Sequence, residues 1–123
     1  MSDQRQHFGQ RAETIVANHL RETGYTIRHR NWRHALGGLD IVAECAGEIV
    51  FVEVRARHGP LEEARALALE SVSGRKQARL RDLAQAYLDA HDLGPVMWRL
   101  DVAAVADDGT AISVEIIRDA LAW

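Results

Sequence analysis

Apolar side chains recur at two different spacings along the chain, and the change of spacing separates helices from strands. Residues 5–23 carry apolar and small side chains at helical intervals before Gly24, which predicts a first amphipathic helix. A second amphipathic helix is predicted to begin after an N-cap at Ser73 and to end before Gly94. The acidic, alanine-rich segment 61–70 between them fits either a short helix or a mobile loop.

Stretches rich in β-branched and aromatic residues predict five strands. They cover residues 25–32, 39–44, 48–55, 97–105 and 112–117. Ala46-Gly47 predicts a two-residue hairpin turn between the second and third strands, and Asp108-Gly109 predicts another hairpin between the last two. The order helix, three strands, helix, two strands predicts an α/β fold with a mixed five-stranded sheet flanked by two helices.

The hairpin formed by the second and third strands places acids inside two otherwise apolar runs. Pairing Cys45 with Glu48 across the turn sets Asp40 directly opposite Glu53. Directly opposed like charges repel, whereas converging carboxylates are suited to a hard divalent cation. Strand alternation places Arg55 on the face of Glu53. The alternative is an exposed sheet edge with Arg55 as a salt-bridge partner, since a slip of one residue would turn Asp40 to the other face.

Length and composition favour one compact unit. The chain has 123 residues, of which 47% are hydrophobic, so we expect a single domain over residues 1–123 with a buried core. No apolar run is long enough to span a bilayer, and the polar start lacks the apolar segment of a signal peptide, which predicts a cytoplasmic protein with no membrane partner. The single cysteine, Cys45, agrees with a reducing compartment.

Basic side chains are unevenly distributed, although the net charge is −3. Arginines outnumber acids before Gly37, and the run from Arg75 to Arg81 contains no acid. Such clusters could bind phosphates, because cations displace condensed counterions and steer a polyanion; solvated helix faces are the alternative. The nucleic-acid contacts expected are Arg11, Arg33, Arg57, Arg75, Lys76 and Arg79.

Glu13 lies at the margin of the apolar stripe of the first helix, beside Gly9 and Leu20. From that margin its carboxylate could reach the edge of the sheet. The alternative is a solvent-facing residue that pairs with a neighbouring arginine. Helical spacing alone favours this alternative.

Seven short motifs carry a resemblance to a known family. They are GQRAE at 9–13, GY at 24–25, NWR at 31–33, GGLDIVA at 37–43, FVEVRAR at 51–57, RKQARL at 75–80 and RLDV at 99–102. Nearly end to end, the chain resembles the YraN-like family of small bacterial proteins. The fold of that family looks like that of restriction endonucleases and archaeal Holliday-junction resolvases.

The resemblance implies a restriction-endonuclease-like core and a nuclease that requires Mg²⁺ or Mn²⁺. By motif, Asp40 and Glu53 would bind the metal, and the catalytic set would be Glu13, Asp40, Glu53 and Arg55. The implied substrate is DNA, branched or single-stranded, with RNA a less expected partner. Related resolvases act as dimers, so the resemblance also implies a homodimer as one assembly.

Two positions depart from the family pattern. The family usually has glutamate where this chain has Gly38, and lysine where it has Arg55. A buried lysine can shift its pKa and position a water, whereas arginine stays protonated. Lys76, the only lysine in the chain, is a candidate for supplying an ammonium. The alternatives to an endonuclease are a weakened nuclease-fold protein that binds nucleic acid without cleaving it and a structural subunit of a functional partner.

Overall fold

Eight elements follow one another in the order α-β-β-β-α-α-β-β in a computed structural model that describes residues 2–72 and 74–120, with side chains from residue 7 onward. The helices are α1 (Ser2–Glu22), α2 (Leu61–Ser71) and α3 (Gly74–Ala90), and the strands are β1 (Thr26–His34), β2 (Gly37–Cys45), β3 (Glu48–His58), β4 (Trp98–Asp107) and β5 (Ile112–Ile117). The predicted bounds agree with these to within a few residues. Ser73, the predicted N-cap, lies outside the described residues.

The five strands of the described chain form one sheet in the order β1-β2-β3-β4-β5. β3 and β4 run parallel, and every other neighbouring pair is antiparallel. A parallel pair requires a crossover of about a dozen residues or more, and α2 and α3 form it. The predicted α/β class, with a mixed five-stranded sheet flanked by helices, is confirmed.

A third helix, α2, adds to the two predicted ones and occupies the segment 61–70, which the sequence left open. Glu62 and Glu63 lie in its first turn, where negative charge interacts favourably with the helix dipole. Its buried residues are Ala64 and Ala68, four positions apart on one face. Because these side chains are small, the segment buries little apolar surface, which is why its periodicity was weak in the sequence.

Two apolar clusters, one on each face of the sheet, bind the helices to it. α1 packs on one face through Ala12, Val16, Ala17 and Leu20. α2 and α3 pack on the other face through residues that include Ala68, Leu80, Leu83, Ala84, Tyr87 and Leu88. The sheet is therefore the middle of three layers, which explains why its central strands are almost continuously apolar. Within the described chain, no helix has both the length and the apolar character needed to cross a lipid bilayer.

The hairpin between β2 and β3 has the register predicted from the sequence. Cys45 pairs with Glu48 across Ala46 and Gly47, whose φ values of 53° and 79° are typical of the primed turns that join twisted strands. Regular pairing continues inward as far as Ile41 and Val52. Asp40 and Glu53 are the next residues along the two strands, but the direct pairing of these acids that the sequence predicted is not part of the regular ladder.

The hairpin between β1 and β2 includes His34 and the two glycines. His34 pairs with Gly37 and Arg33 pairs with Gly38, so these residues are part of the sheet. Gly37 has a φ of 136°, a conformation that favours glycine. The strands are consequently longer than predicted at this end of the sheet.

A buried ionic cluster joins β4 to the start of β3 and to the end of the chain. The Arg99 guanidinium donates to Asp101 Oδ1 at 3.0 Å, to Glu48 Oε1, and to the Tyr25 hydroxyl at 2.9 Å. Asp101 also accepts the backbone N–H of Asp119 at 2.8 Å. Asp101 is 1% exposed, and these partners all belong to the protein itself, so its role is structural.

Candidate functional site

A polar pocket of about 250 Å³ opens where β1, β2 and β3 approach the first turns of α3. Its lining residues are Asn31, Arg33, Gly38, Leu39, Asp40, Glu53, Arg55 and Lys76. The pocket therefore brings together the two acids and the arginine that the sequence placed on one hairpin, and it adds cations from β1 and α3.

Asp40 is held by the backbone of the neighbouring strand. The regular pairing of β2 with β3 extends to Ile41 and Val52. Beyond that pair, Asp40 Oδ2 accepts a hydrogen bond of 2.9 Å from the backbone N–H of Val54. A carboxylate that replaces a strand acceptor in this way has a fixed position beside β3.

Glu53 is a buried acid, with 6% of its side chain exposed. Burial raises its pKa to about 8, and the hydrogen bond and charge of Asp40 act in the same direction. The positive charges of Arg55 and Lys76 oppose this rise in pKa. Near neutral pH, Glu53 therefore retains its proton.

Arg55 is engaged by three partners. Its Nη1 donates to Glu53 Oε1 at 2.9 Å and to the carbonyl oxygen of Val54 at 3.1 Å, and its Nε donates to Ser71 Oγ at 2.9 Å. The Ser71 hydroxyl in turn donates to the carbonyl oxygen of Ala68 in α2. Arg55 thus forms the salt bridge that was the sequence alternative, but with a Glu53 that is buried rather than at an exposed edge.

The other predicted phosphate contacts lie at different distances from the acids. Arg33 and Lys76 line the pocket. Arg79 lies beside it, because a Cβ atom on Gly37 would come within 3.7 Å of Arg79 Cδ. Arg75 is exposed in the same region of α3. The first helical turns of α3 therefore face the pocket with a basic surface.

Arg57 and Arg11 do not line the pocket. Arg57 lies along a separate groove between β3 and α2. Arg11 is exposed on α1. The structure therefore places three of the six predicted phosphate contacts, Arg33, Lys76 and Arg79, in or beside the pocket. Arg75 is exposed one residue before Lys76 and does not line the pocket, and Arg57 and Arg11 lie away from it.

Glu13 reaches the sheet from α1, as the sequence allowed. Burial raises its pKa, and the negative charge of Asp40 adds to this; a hydrogen bond with Asn31 and the charges of Arg30 and Arg33 lower it. Its Oε1 atom is buried and has no hydrogen-bond partner among the described residues. Glu13 lies close enough to Asp40 to interact with its charge, but it does not line the pocket.

Comparison with known proteins places the chain in a family. The model of a family described as "Uncharacterised protein family UPF0102" matches residues 12–105. The chain belongs to the UPF0102 family. A UPF0102 protein of Roseiflexus castenholzii is 44% identical over 107 residues, which cover 86% of this chain and 84% of that protein. One from Moorella thermoacetica is 42% identical over 98% of this chain and 99% of its own length. The expected YraN-like membership is confirmed at this level.

Asn31 is a pocket residue of this UPF0102 chain that sequence reasoning missed as a functional candidate. It has a φ of 54°, which is uncommon for a residue other than glycine, although asparagine tolerates it better than most. Its side chain lines the pocket, and hydrogen bonding by Asn31 lowers the pKa of Glu13. The signal in the sequence was a short polar residue in a strand, directly before Trp32, and it was too general to indicate a role.

The oxygen donors of the UPF0102 pocket suit a small, hard cation. Asp40 and Glu53 offer two carboxylates, and Mg²⁺ is commonly bound by one or two carboxylates together with water and substrate phosphates. Across residues 2–72 and 74–120, no group of three His, Cys, Asp or Glu side chains is arranged to hold a metal ion. A cation held by these two carboxylates alone would take its remaining ligands from water or substrate.

Proposed function

We propose that this protein is a Mg²⁺- or Mn²⁺-dependent endonuclease with a restriction-endonuclease-like core, acting on DNA. The proposal depends on one observation: the carboxylates of Asp40 and Glu53 meet in a polar pocket, and the pKa of Glu53 is raised to about 8 there. Two acids held together in a buried site are costly unless a proton or a cation lies between them. Bound Mg²⁺ would neutralise both carboxylates and lower the pKa of an attacking water.

Each residue has a distinct role in this proposal. Asp40 is positioned by the Val54 N–H and offers its carboxylate to the cation. Glu53 would release its proton and hold the cation as the second carboxylate ligand. Arg55 holds Glu53 in place and supplies fixed positive charge near the phosphate, which favours the charge that develops in the transition state. Glu13 interacts electrostatically with Asp40 and, in this proposal, orders the site from α1.

A second candidate function is binding without cleavage. The observation that favours it is the engagement of Arg55 by Glu53, Val54 and Ser71, because an arginine so held offers no proton acceptor and little freedom to follow a substrate. Lys76 instead favours the endonuclease. It lines the pocket and its charge acts on Glu53, so the site contains an ammonium group. Turnover decides between the two functions.

Incubation of the purified protein with branched, single-stranded and duplex DNA, and with single-stranded RNA, tests the endonuclease. We expect cleavage with Mg²⁺ or Mn²⁺ that falls by about a hundredfold or more in Asp40→Asn, a substitution that preserves shape and removes the charge. Glu62→Gln, on the exposed first turn of α2, is the matched control. Equal cleavage by the wild type and Asp40→Asn would identify a contaminant and refute the proposal.

Arg55→Lys separates the weakened enzyme from the active one. Lysine keeps the positive charge but makes a point contact instead of a fixed fork, and a buried lysine can shift its pKa. If the wild type binds DNA without cutting it and Arg55→Lys restores cleavage, the second function is correct. Cleavage by the wild type that drops in Arg55→Lys would support the first.

A further inference from the structure

Arg33 and Gly38 face each other across the first hairpin, and their side chains compete for one space. They are directly paired residues of β1 and β2. A Cβ atom on Gly38 would lie 2.9 Å from Arg33 Nη1 and 3.4 Å from Arg33 Cδ. The arginine side chain therefore crosses the position where a side chain of residue 38 would begin.

Space, and not backbone conformation, makes glycine important at this position. The φ of Gly38 is outside the positive region that disfavours other residues. The nearest atom to the added Cβ is the end of a flexible side chain, although the Trp32 carbonyl oxygen, at 3.3 Å, is also close. An alanine at position 38 is thus compatible with the strand but incompatible with the observed position of the Arg33 guanidinium.

The cationic side chains that line the pocket differ in how many hydrogen bonds and ion pairs they already form with the rest of the protein. Arg55 is bound to Glu53 and Ser71. Among the hydrogen bonds and ion pairs of the described chain, none involves the guanidinium of Arg33 or the ammonium of Lys76. Two cations that line the pocket are therefore available to an anion, and a guanidinium can bind a phosphate with two parallel hydrogen bonds.

We propose that Gly38 makes Arg33 a phosphate-binding residue, so that the pocket binds a phosphate group of nucleic acid in the absence of any metal ion. The absence of a side chain at residue 38 lets the guanidinium lie over β2 and into the pocket. Lys76 supports it from α3 as a point charge. This inference rests on the proposed function only in taking nucleic acid as the source of the phosphate.

Binding of a labelled single-stranded oligonucleotide in EDTA, followed by fluorescence anisotropy, tests the inference. We expect Arg33→Ala and Gly38→Ala each to weaken binding by about tenfold, the scale of one lost charge-assisted contact. The double variant should be no weaker than either single variant, because both remove the same contact. Gly38→Ala should do this without changing the net charge of the protein.

Two control variants separate this effect from general ones. Gly9→Ala adds a methyl group to α1 where nothing lies within 4 Å, and we expect unchanged binding. Arg21→Ala removes one exposed positive charge at the end of α1, and it should weaken binding much less than Arg33→Ala. Circular dichroism melts of all variants verify that they are folded.

The source of the phosphate is decided by comparing oligonucleotides with a 5′-phosphate and with a 5′-hydroxyl. Preference for the 5′-phosphate, lost in Gly38→Ala, supports a terminal monoester; equal affinity, reduced in Gly38→Ala, supports an internal diester. Wild-type affinity in Arg33→Ala, or losses that multiply in the double variant, would overturn the inference. Because EDTA prevents metal-dependent turnover, such a failure is distinct from a failure of the cleavage assay.

Discussion

At the scale of single residues, the surroundings of Glu53 have opposing effects on its pKa. Burial and the neighbouring Asp40 favour its neutral form, and Arg55 and Lys76 favour its charged form; the net effect is a pKa raised to about 8. A carboxyl group with a pKa far above that of a free glutamate is a feature of functional sites, because folding alone gains nothing from it. The protonation of this residue therefore links the stability of the fold to the metal binding that we propose.

The stability of the protein should fall as pH rises from about 4.5 to about 8, the two limits of the Glu53 pKa in the unfolded and folded chain. Across this range the folded state binds a proton that the unfolded state has lost. Glu53→Gln removes this dependence, so the variant should gain stability relative to the wild type between pH 5 and pH 9, by up to roughly 5 kcal/mol at 1.36 kcal/mol for each unit of pKa. Urea unfolding at both pH values measures this. A constant difference between the two proteins would contradict it.

Mg²⁺ should stabilise the wild type more at pH 9 than at pH 6. Glu53 must release its proton to bind a cation, and this release is less costly near or above its pKa of about 8. The melting temperature with and without Mg²⁺, at each pH, gives the effect directly and needs no substrate. Asp40→Asn should abolish it, and Glu62→Gln should retain it. Equal stabilisation of Asp40→Asn would locate the bound cation elsewhere.

The sequence was sufficient to predict that Asp40 and Glu53 lie close together, because their positions follow from a two-residue turn and from the number of residues between that turn and each acid. It was not sufficient for Arg55, whose contact with Ser71 depends on where α2 packs. Nor did it indicate Asn31, whose role comes from a positive φ within a strand. Local pairing can be read from sequence, but contacts between distant elements cannot.

At the scale of elements, β4 combines a structural ionic cluster with an apolar run. Arg99 and Asp101 are both buried, and each compensates the charge of the other. The motif that contains them supported the family resemblance, yet the structure gives it no place in the pocket. The cluster instead fastens β4 to Glu48 at the start of β3 and to Asp119.

Asp101→Ala should destabilise the protein by about 3 to 5 kcal/mol, because removal of one partner leaves the other charge buried without compensation. The midpoint of urea unfolding would fall accordingly, while oligonucleotide binding at a temperature where the variant is folded should be retained. Asp108→Ala, in the exposed turn between β4 and β5, is the comparison and should have a much smaller effect. A loss of binding by folded Asp101→Ala would assign this cluster to the site.

The helices were predicted unequally well for a physical reason. α1 and α3 bury large side chains at regular intervals, and their apolar stripes are visible in the sequence. α2 buries Ala64 and Ala68, which give almost no such signal. The need for a helix at this point follows from the parallel pairing of β3 with β4, because parallel strands require a long crossover. That pairing joins segments far apart in the chain and is not visible in the local sequence.

At the scale of the whole molecule, the net charge of −3 conceals a local excess of positive charge. Arg33, Lys76 and Arg79 lie in or beside the pocket. A nucleic acid bound there would interact with these cations, and the negative net charge of the whole protein would matter less. The interaction should accordingly be limited to a few phosphates and should respond to salt in proportion to their number.

Affinity for a single-stranded oligonucleotide should fall with salt with a logarithmic slope of about −2, since three phosphate contacts contribute about −0.7 each. Anisotropy titrations from low to physiological salt give this slope. Arg79→Ala should reduce its magnitude by about 0.7, and Arg21→Ala should leave it unchanged. A slope near zero would mean that these cations do not contact phosphates.

The crossover between β3 and β4 has a consequence for how the pocket is assembled during synthesis. Asp40 and Glu53 are joined by a tight turn, so little chain entropy opposes their encounter. Lys76 lies on the connection between two parallel strands, and its place is set only when β4 docks beside β3. A chain emerging from the ribosome would thus present its two acids together with Arg33 and Arg55 before Lys76 reaches the pocket. The full positive charge of the pocket would then be acquired last, when β4 has docked.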